Sequence, residues 1–245
     1  MALKEKLVGL LESIDLEEQA LYDNLSTEER DVEGKADGWS PKDTLAHMAA
    51  WKEREAANLA AVARGEPRVG YEDFESVNAQ DFEAYRDWPW SEVLLKAEAA
   101  NLQLIEQVAG RTEGELEASS QNERTVWQSI AGTGYTHPVI HLGQIYLDRG
   151  DPGYATDLQE AGAEALAELS ESPEWRGAVR YNLACHYALM GDTERAIDGL
   201  RAALELNPGL TEWSKEDSDF ESIREEPAYQ ALYDVQRRVP RKDEG

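Results

Sequence analysis

Apolar positions recur three and four residues apart along most of the chain, the spacing that lines one face of an α-helix. No run alternates with the two-residue period of a strand, so the pattern predicts an all-α protein. A first helix is predicted over about residues 3–25, with Leu7, Leu10, Leu11, Ile14 and Leu21 on one side and Asn24 and Ser26 marking its end. The clearest start signal is Trp39-Ser40-Pro41-Lys42-Asp43. Ser40 can cap the free N–H groups, Pro41 suits the first helical position, and Asp43 puts a carboxylate where it favours the helix dipole. That second helix should run from Pro41 to about Arg64 and stop at Gly65-Glu66-Pro67. The aromatic stretch 68–90 holds a short helix around 74–86 and ends at Pro89, after which Ser91 caps a third long helix over about 92–109. Residues 111–124 read as a polar connection, and a fourth helical stretch covers about 125–149, interrupted near Gly132-Thr133-Gly134. Gly150-Asp151-Pro152-Gly153 is a strong break and places a domain boundary after residue 152. Four long amphipathic helices ahead of it predict a four-helix bundle over residues 1–152.

The remaining residues, 153–245, change in character. A helix is predicted over 157–169, then a segment from about Gly177 to Leu210 that resembles a tetratricopeptide repeat. Leu183, Ala184, Tyr187, Gly191, Ala196, Leu200, Ala203 and Pro208 carry the resemblance, while Arg180 stands where that motif prefers Trp. Small Ala184 and Ala203 allow a close helix crossing, Gly191-Asp192 makes the turn, and Pro208 ends the second helix. One such hairpin cannot bury its own apolar faces. The 157–169 helix and a final helix near 227–238 (Pro227, Tyr229, Leu232, Val235) are expected to complete the layer.

Charge narrows the partners. The chain has 24 Lys+Arg against 50 Asp+Glu in 245 residues, a net charge of −26. It therefore repels phosphate backbones and anionic lipid, and neither nucleic acid nor a membrane surface is an expected partner. No stretch approaches the roughly 18 apolar residues of a membrane span. The N-terminus carries no apolar core followed by a cleavage site, so no secretory leader is read there. Cys185 is the only cysteine, which excludes an internal disulfide and a cysteine-based zinc site and fits a reducing cytoplasm. Any metal would have to be held by His and carboxylates.

The four histidines are His47, His137, His141 and His186. His137 and His141 lie four apart, so on a helix their rings share a face. His47 sits in the first turns of the well-capped second helix. Three neutral imidazoles from two helices can hold a divalent ion and leave a coordination position open, as a catalytic metal requires. An i,i+4 pair also arises by chance, and helical histidines often serve only as surface or core hydrogen-bonding groups. Pro138 disfavours a helical His137. The glycines at 132 and 134 favour a helix that begins near Tyr135–His137 with Thr136 as its cap; a helix starting near Thr125 would have to kink at Pro138.

Around these residues, Trp39-Ser40-Pro41-Lys42-Asp43-Thr44-Leu45-Ala46-His47 and His137-Pro138-Val139-Ile140-His141-Leu142-Gly143-Gln144 resemble the DinB-like family, which includes YfiT-type and ClbS/DfsB-type bundles. The resemblance covers about residues 1–152. It implies a four-helix bundle with a divalent ion, zinc or nickel, held by His47, His137 and His141. Asp43 is a candidate to orient an imidazole, though its capping role explains it equally well; Gln144 is a candidate to bond a metal-bound water, or simply a helix–helix contact. Trp51 and Tyr135 read either as pocket lining or, more simply, as core. His186 and Cys185 fall in the repeat segment and outside this site.

The resemblance further implies a metal-dependent enzyme of the cytoplasm acting on a small molecule, either a transferase or isomerase using a low-molecular-weight thiol, or a hydrolase. Its catalytic residues and substrate are not legible, and Arg54 is the one nearby candidate for a thiol cofactor's carboxylate. The alternative is a non-catalytic scaffold whose C-terminal helices dock a peptide or protein, pack on the bundle, or mediate self-association as a homodimer.

Overall fold

The computed structural model describes residues 1–36, 38–119 and 124–234. Among these the protein is all-α, with no strand and two isolated bridges, Lys35–Gly38 and Ser119–Thr125. No helix among the described residues is long and apolar enough to cross a membrane. The chain divides into two compact units, Met1–Gly150 and Asp151–Gly245. Asp151 belongs with the second unit because its side chain caps the following helix, accepting from the Tyr154 N–H at 3.1 Å.

The first unit contains α1 (Leu3–Asp23), α2 (Thr27–Arg30), α3 (Pro41–Ala63), α4 (Phe74–Tyr85), α5 (Trp90–Ala109), α6 (Glu113–Glu117), α7 (Val126–Ala131) and α8 (His137–Asp148). Packing runs in a ring, α1 on α5, α5 on α3, α3 on α8 and α8 on α1. Leu7, Ile14, Leu21, Leu45, Met48, Leu59, Leu104, Ile130 and Leu142 fill the interior. A polar cluster crosses it: Lys52 of α3, 2% exposed, donates to Glu18 of α1 and, at 2.5 Å, to Asn101 Oδ1 of α5. Asn101 in turn donates to Glu18 and Asp15, so three helices are tied at one level.

Several expected helix boundaries shift, and the helix read over 157–169 begins five residues earlier, spanning Pro152–Ala167. The third long helix begins at Trp90, after Pro89 in an extended conformation, so Ser91 lies inside it and caps nothing. The connection after it holds α6, started by a reciprocal Thr112–Glu115 capping box.

The largest departure concerns Pro138. Of the two starts, the one near Thr125 is found: Thr125 caps α7, which runs into α8 through a π turn, Gly132–Thr136, in which the His137 N–H donates to the Gly132 carbonyl. Thr136 is helical and its side chain caps nothing. A π turn opens the helix just ahead of Pro138, where an α-helical ladder would need the donor that proline lacks. Gly134 makes the turn's close approach to the core. A Cβ there would meet Leu11 Cδ2 at 2.5 Å and Leu104 Cδ2 at 3.0 Å, whereas one at Gly132 meets nothing within 4 Å. Gly134→Ala is therefore expected to cost about 1–3 kcal/mol by overpacking. Gly132→Ala should change stability little; equal effects of the two substitutions in urea unfolding would contradict this packing.

The second unit contains α9 (Pro152–Ala167), α10 (Pro173–Leu189), α11 (Thr193–Leu206), α12 (Thr211–Glu216) and α13 (Pro227–Asp234). α10 and α11 form a tight antiparallel pair around the Gly191 turn (φ 74°). Gly199 lies where a Cβ would meet that of Ala184 at 3.2 Å, a close approach the sequence pattern did not single out. Tyr181, Ala184, Ala188, Leu200, Ala203, Phe220 and Tyr229 are among its core residues. The predicted last helix is present to Asp234; Val235 lies outside the described residues.

Candidate metal centre

Local sequence builds the entrance to the site. Ser40 and Asp43 form a reciprocal cap at the start of α3: the Ser40 N–H donates to Asp43 Oδ2 at 3.0 Å, and the Asp43 N–H donates to Ser40 Oγ at 3.3 Å. The Ser40 hydroxyl also donates to Asp43 Oδ2, at 2.6 Å. Gly34 passes so close over this carboxylate that any side chain there would overlap it. The loop so fixed brings Trp39 over the next turns of α3, its ring centroid 4.5 Å from that of His47 and 6.4 Å from that of His141.

Beneath Trp39 the three histidines meet. His137 Nε2 lies 2.8 Å from His47 Nε2 and 2.9 Å from His141 Nε2. His47 is 5% exposed, and the other two are partly buried. Burial, the largest cause, pushes the His47 pKa down to about 3, with His141 and Arg54 adding repulsion. Burial first and then His141 and His47 bring His137 to about 2, and burial alone brings His141 to about 4. All three rings are thus neutral at pH 7, the form that binds a metal. Each Nε2 carries in its ring plane either one proton or one lone pair. His137 Nε2 faces two others, so protons alone cannot supply both contacts with well-aligned hydrogen bonds. Three lone pairs directed at one cation would satisfy all of them, and the donor set therefore fits a divalent metal.

Two cavities adjoin this cluster, and Trp39 and His141 line both. One, of about 660 Å³, is bounded by Thr44, Gln144, Ile145, Asp148 and Arg149. The other, of about 600 Å³, is the one that reaches all three imidazoles. Along α3 it is lined by His47, Trp51, Arg54, Glu55 and Asn58, and across from them by Ser129, the π-turn residues Gly132, Thr133 and Thr136, then His137 and His141. Trp51 is fixed there by donating to Asn78 Oδ1 at 2.9 Å and by ring contacts with Tyr71 at 5.3 Å and Phe74 at 5.5 Å.

The structure redistributes the supporting roles. Asp43 does not orient an imidazole: its carboxylate is engaged by Ser40, and His47 Nδ1 is buried without a hydrogen-bond partner among the described residues. Its effect on the site is indirect, through the loop that carries Trp39. Gln144 is exposed, donates to Asp148 Oδ1 at 2.8 Å, and lines the other cavity, so nothing places it on a metal-bound water. Trp51 lines the pocket, whereas Tyr135 is buried and absent from the pocket lining. Arg54 is held by Asp81 through two hydrogen bonds of 2.7 and 2.6 Å and does not await a cofactor's carboxylate. Trp39, Glu55, Arg68 and Arg124 were not assigned to a pocket from sequence. The run His47, Trp51, Glu55 at four-residue spacing on one helix was the signal available for part of it.

A second group of metal-capable atoms, Cys185 with Asp217 and Asp219, occurs in the second unit. Burial and the two carboxylates push the thiol well above its usual range, so it stays protonated. Asp217 is already occupied, accepting from the Tyr181 hydroxyl at 2.7 Å and the Trp213 ring N–H at 3.2 Å. His186 pairs with the Thr156 hydroxyl at 3.1 Å. Comparison of the chain with protein-family models, curated proteins and solved structures returned no match, so the reading of this centre rests on its own residues.

Proposed function

We propose that the first unit is a divalent-metal protein of the DinB-like kind, a four-helix bundle acting on a small molecule in the cavity that adjoins its three histidines. The observation that carries this reading is the convergence of the Nε2 atoms of His47, His137 and His141, drawn from two helices and neutral at pH 7. Zinc or nickel suits such a donor set. When bound, the ion would supply Lewis acidity to a water or a low-molecular-weight thiol at an open position, the chemistry of hydrolysis or of thiol transfer and isomerisation. The chain's own residues do the rest: Trp39 covers the histidines, and Trp51, Tyr71 and Phe74 give an apolar wall for the body of a substrate. The unpaired thiol of Cys185 suits a cytoplasmic setting.

Elemental analysis of protein purified without a histidine tag tests the reading. One equivalent of zinc or nickel is expected, lost in a His141→Ala variant that retains its helical circular dichroism. Protein that stays metal-free after incubation with either ion would contradict it. Assays with several low-molecular-weight thiols then separate the two chemistries; metal-loaded protein whose spectrum and activity no thiol alters would remove the transferase branch.

The scaffold reading draws on the second unit, where Leu189 and Trp213 are each 66% exposed and offer apolar contact to a peptide or a second copy. Metal-free protein, unaffected by added metal, would favour it.

A further inference from the structure

The cavity beside the histidines has a second polar end. Arg68 donates through one terminal nitrogen to both oxygens of Glu55, at 2.9 and 2.7 Å, and both side chains are nearly buried (9% and 6% exposed). The Asn58 side chain holds the same loop, donating to the Val69 carbonyl at 3.1 Å and accepting from the Val69 N–H at 2.8 Å. Glu55 lies eight residues beyond His47 on α3, roughly 12 Å along the helix axis. Arg124 reaches this cavity from the residue just ahead of the α7 cap, on the same rod as His137 but thirteen residues before it. It is exposed and forms no ion pair among the described residues.

Charge and surface then specify a ligand. Arg68 is balanced by Glu55 and Arg54 by Asp81, so among the described lining residues Arg124 leaves one net positive charge, in a protein whose total is −26. The lining also offers apolar surface among its polar groups. Val69, Phe74 and Ile140 are 59%, 56% and 50% exposed there, surface that a bound molecule would cover.

We infer that this cavity binds an elongated monocarboxylate: its acid group at Arg124 beside the fixed Arg68, an apolar or aromatic body against Trp51 and Phe74, and its reacting head at the histidines. The placing of the head rests on the metal reading above; the acid and body ends do not. A single net cation with a planar guanidinium matches a carboxylate in charge and in geometry.

Binding of 6-phenylhexanoate and of its neutral amide to the full-length protein as purified, followed by tryptophan fluorescence and calorimetry, tests this. The acid is expected to bind about tenfold more tightly than the amide, the scale of one charge-assisted hydrogen bond. Arg124→Ala should weaken the acid by about tenfold and leave the amide unchanged, while exposed Arg124 gives the variant no reason to misfold. His141→Ala should retain acid binding, which separates this inference from the metal reading: loss of metal without loss of the acid preference upholds it. Equal affinity of acid and amide, an unaltered Arg124→Ala variant, or no saturable binding by phenylalkanoates of four to eight chain carbons would each overturn it.

Discussion

Acidifying the metal-stripped protein from pH 7 towards pH 4 is expected to lower its unfolding free energy steeply, because His47, His137 and His141 are held neutral in the fold. Their pKa values lie at about 3, 2 and 4 in the folded chain against an ordinary 6.5. A depressed folded value means that the unfolded chain binds more protons, so the stabilisation is complete above pH 6.5 and is lost as the pH falls toward the folded values. Each imidazole contributes a slope of at most about 1.4 kcal/mol per pH unit, and three together give roughly 4. Removing one ring isolates the effect from the many carboxylates. In His137→Gln the slope between pH 6 and 5 should fall by about 1.4 kcal/mol per unit. Urea unfolding at a series of pH values measures it, and a slope unchanged in the variant would contradict a buried neutral triad. Bound metal should move the loss to lower pH, since protons and the ion compete for the same lone pairs.

Lys52→Met is expected to cost about 3–5 kcal/mol, the range for removing one partner of a buried ion pair. Glu18 is 3% exposed, and without the ammonium its carboxylate keeps only the Asn101 amide as a donor, at 3.0 Å. The cost arises from that stranded charge more than from the lost attraction. A double variant, Glu18→Leu with Lys52→Met, should recover most of the loss because an apolar pair of similar volume removes both charges. Denaturant unfolding of wild type, single and double variants forms the cycle. A single variant within about 1 kcal/mol of wild type would mean that water reaches Glu18 and that the pair is not enclosed.

Much of the architecture was legible because it is local. The periodicity along Leu3–Asp23 and the Ser40-Pro41-Asp43 start of α3 act within a turn or two, and both helices lie within two residues of the bounds read from sequence. The Thr112–Glu115 box ahead of α6 is equally local, but the polar, glycine-containing composition of 111–124 hides the short helix it starts. Pro138 was harder. Its answer, a π turn packed through Gly134 against Leu11 and Leu104, depends on two other helices that the local sequence does not encode. The same division holds at the site. His137 and His141 share a face by their spacing alone, and His47 stood out on the well-capped second helix before the family resemblance added its support. Arg54 was read as available because its partner, Asp81, lies 27 residues away in sequence. Asp43 is open between capping and orienting an imidazole in the sequence, and the two are separated by the buried, unpartnered Nδ1 of His47, a tertiary feature. Trp39 stood inside the recognised motif, yet its place above His47 follows from the loop bent back over the α3 cap, again a tertiary effect.

Anomalous diffraction from crystals of the zinc- or nickel-loaded protein, recorded at the metal's absorption edge, tests the central claim most directly. One strong peak bonded to the Nε2 atoms of His47, His137 and His141 is the predicted result. No peak at that position, or the principal peak at Cys185, Asp217 and Asp219 instead, would contradict it.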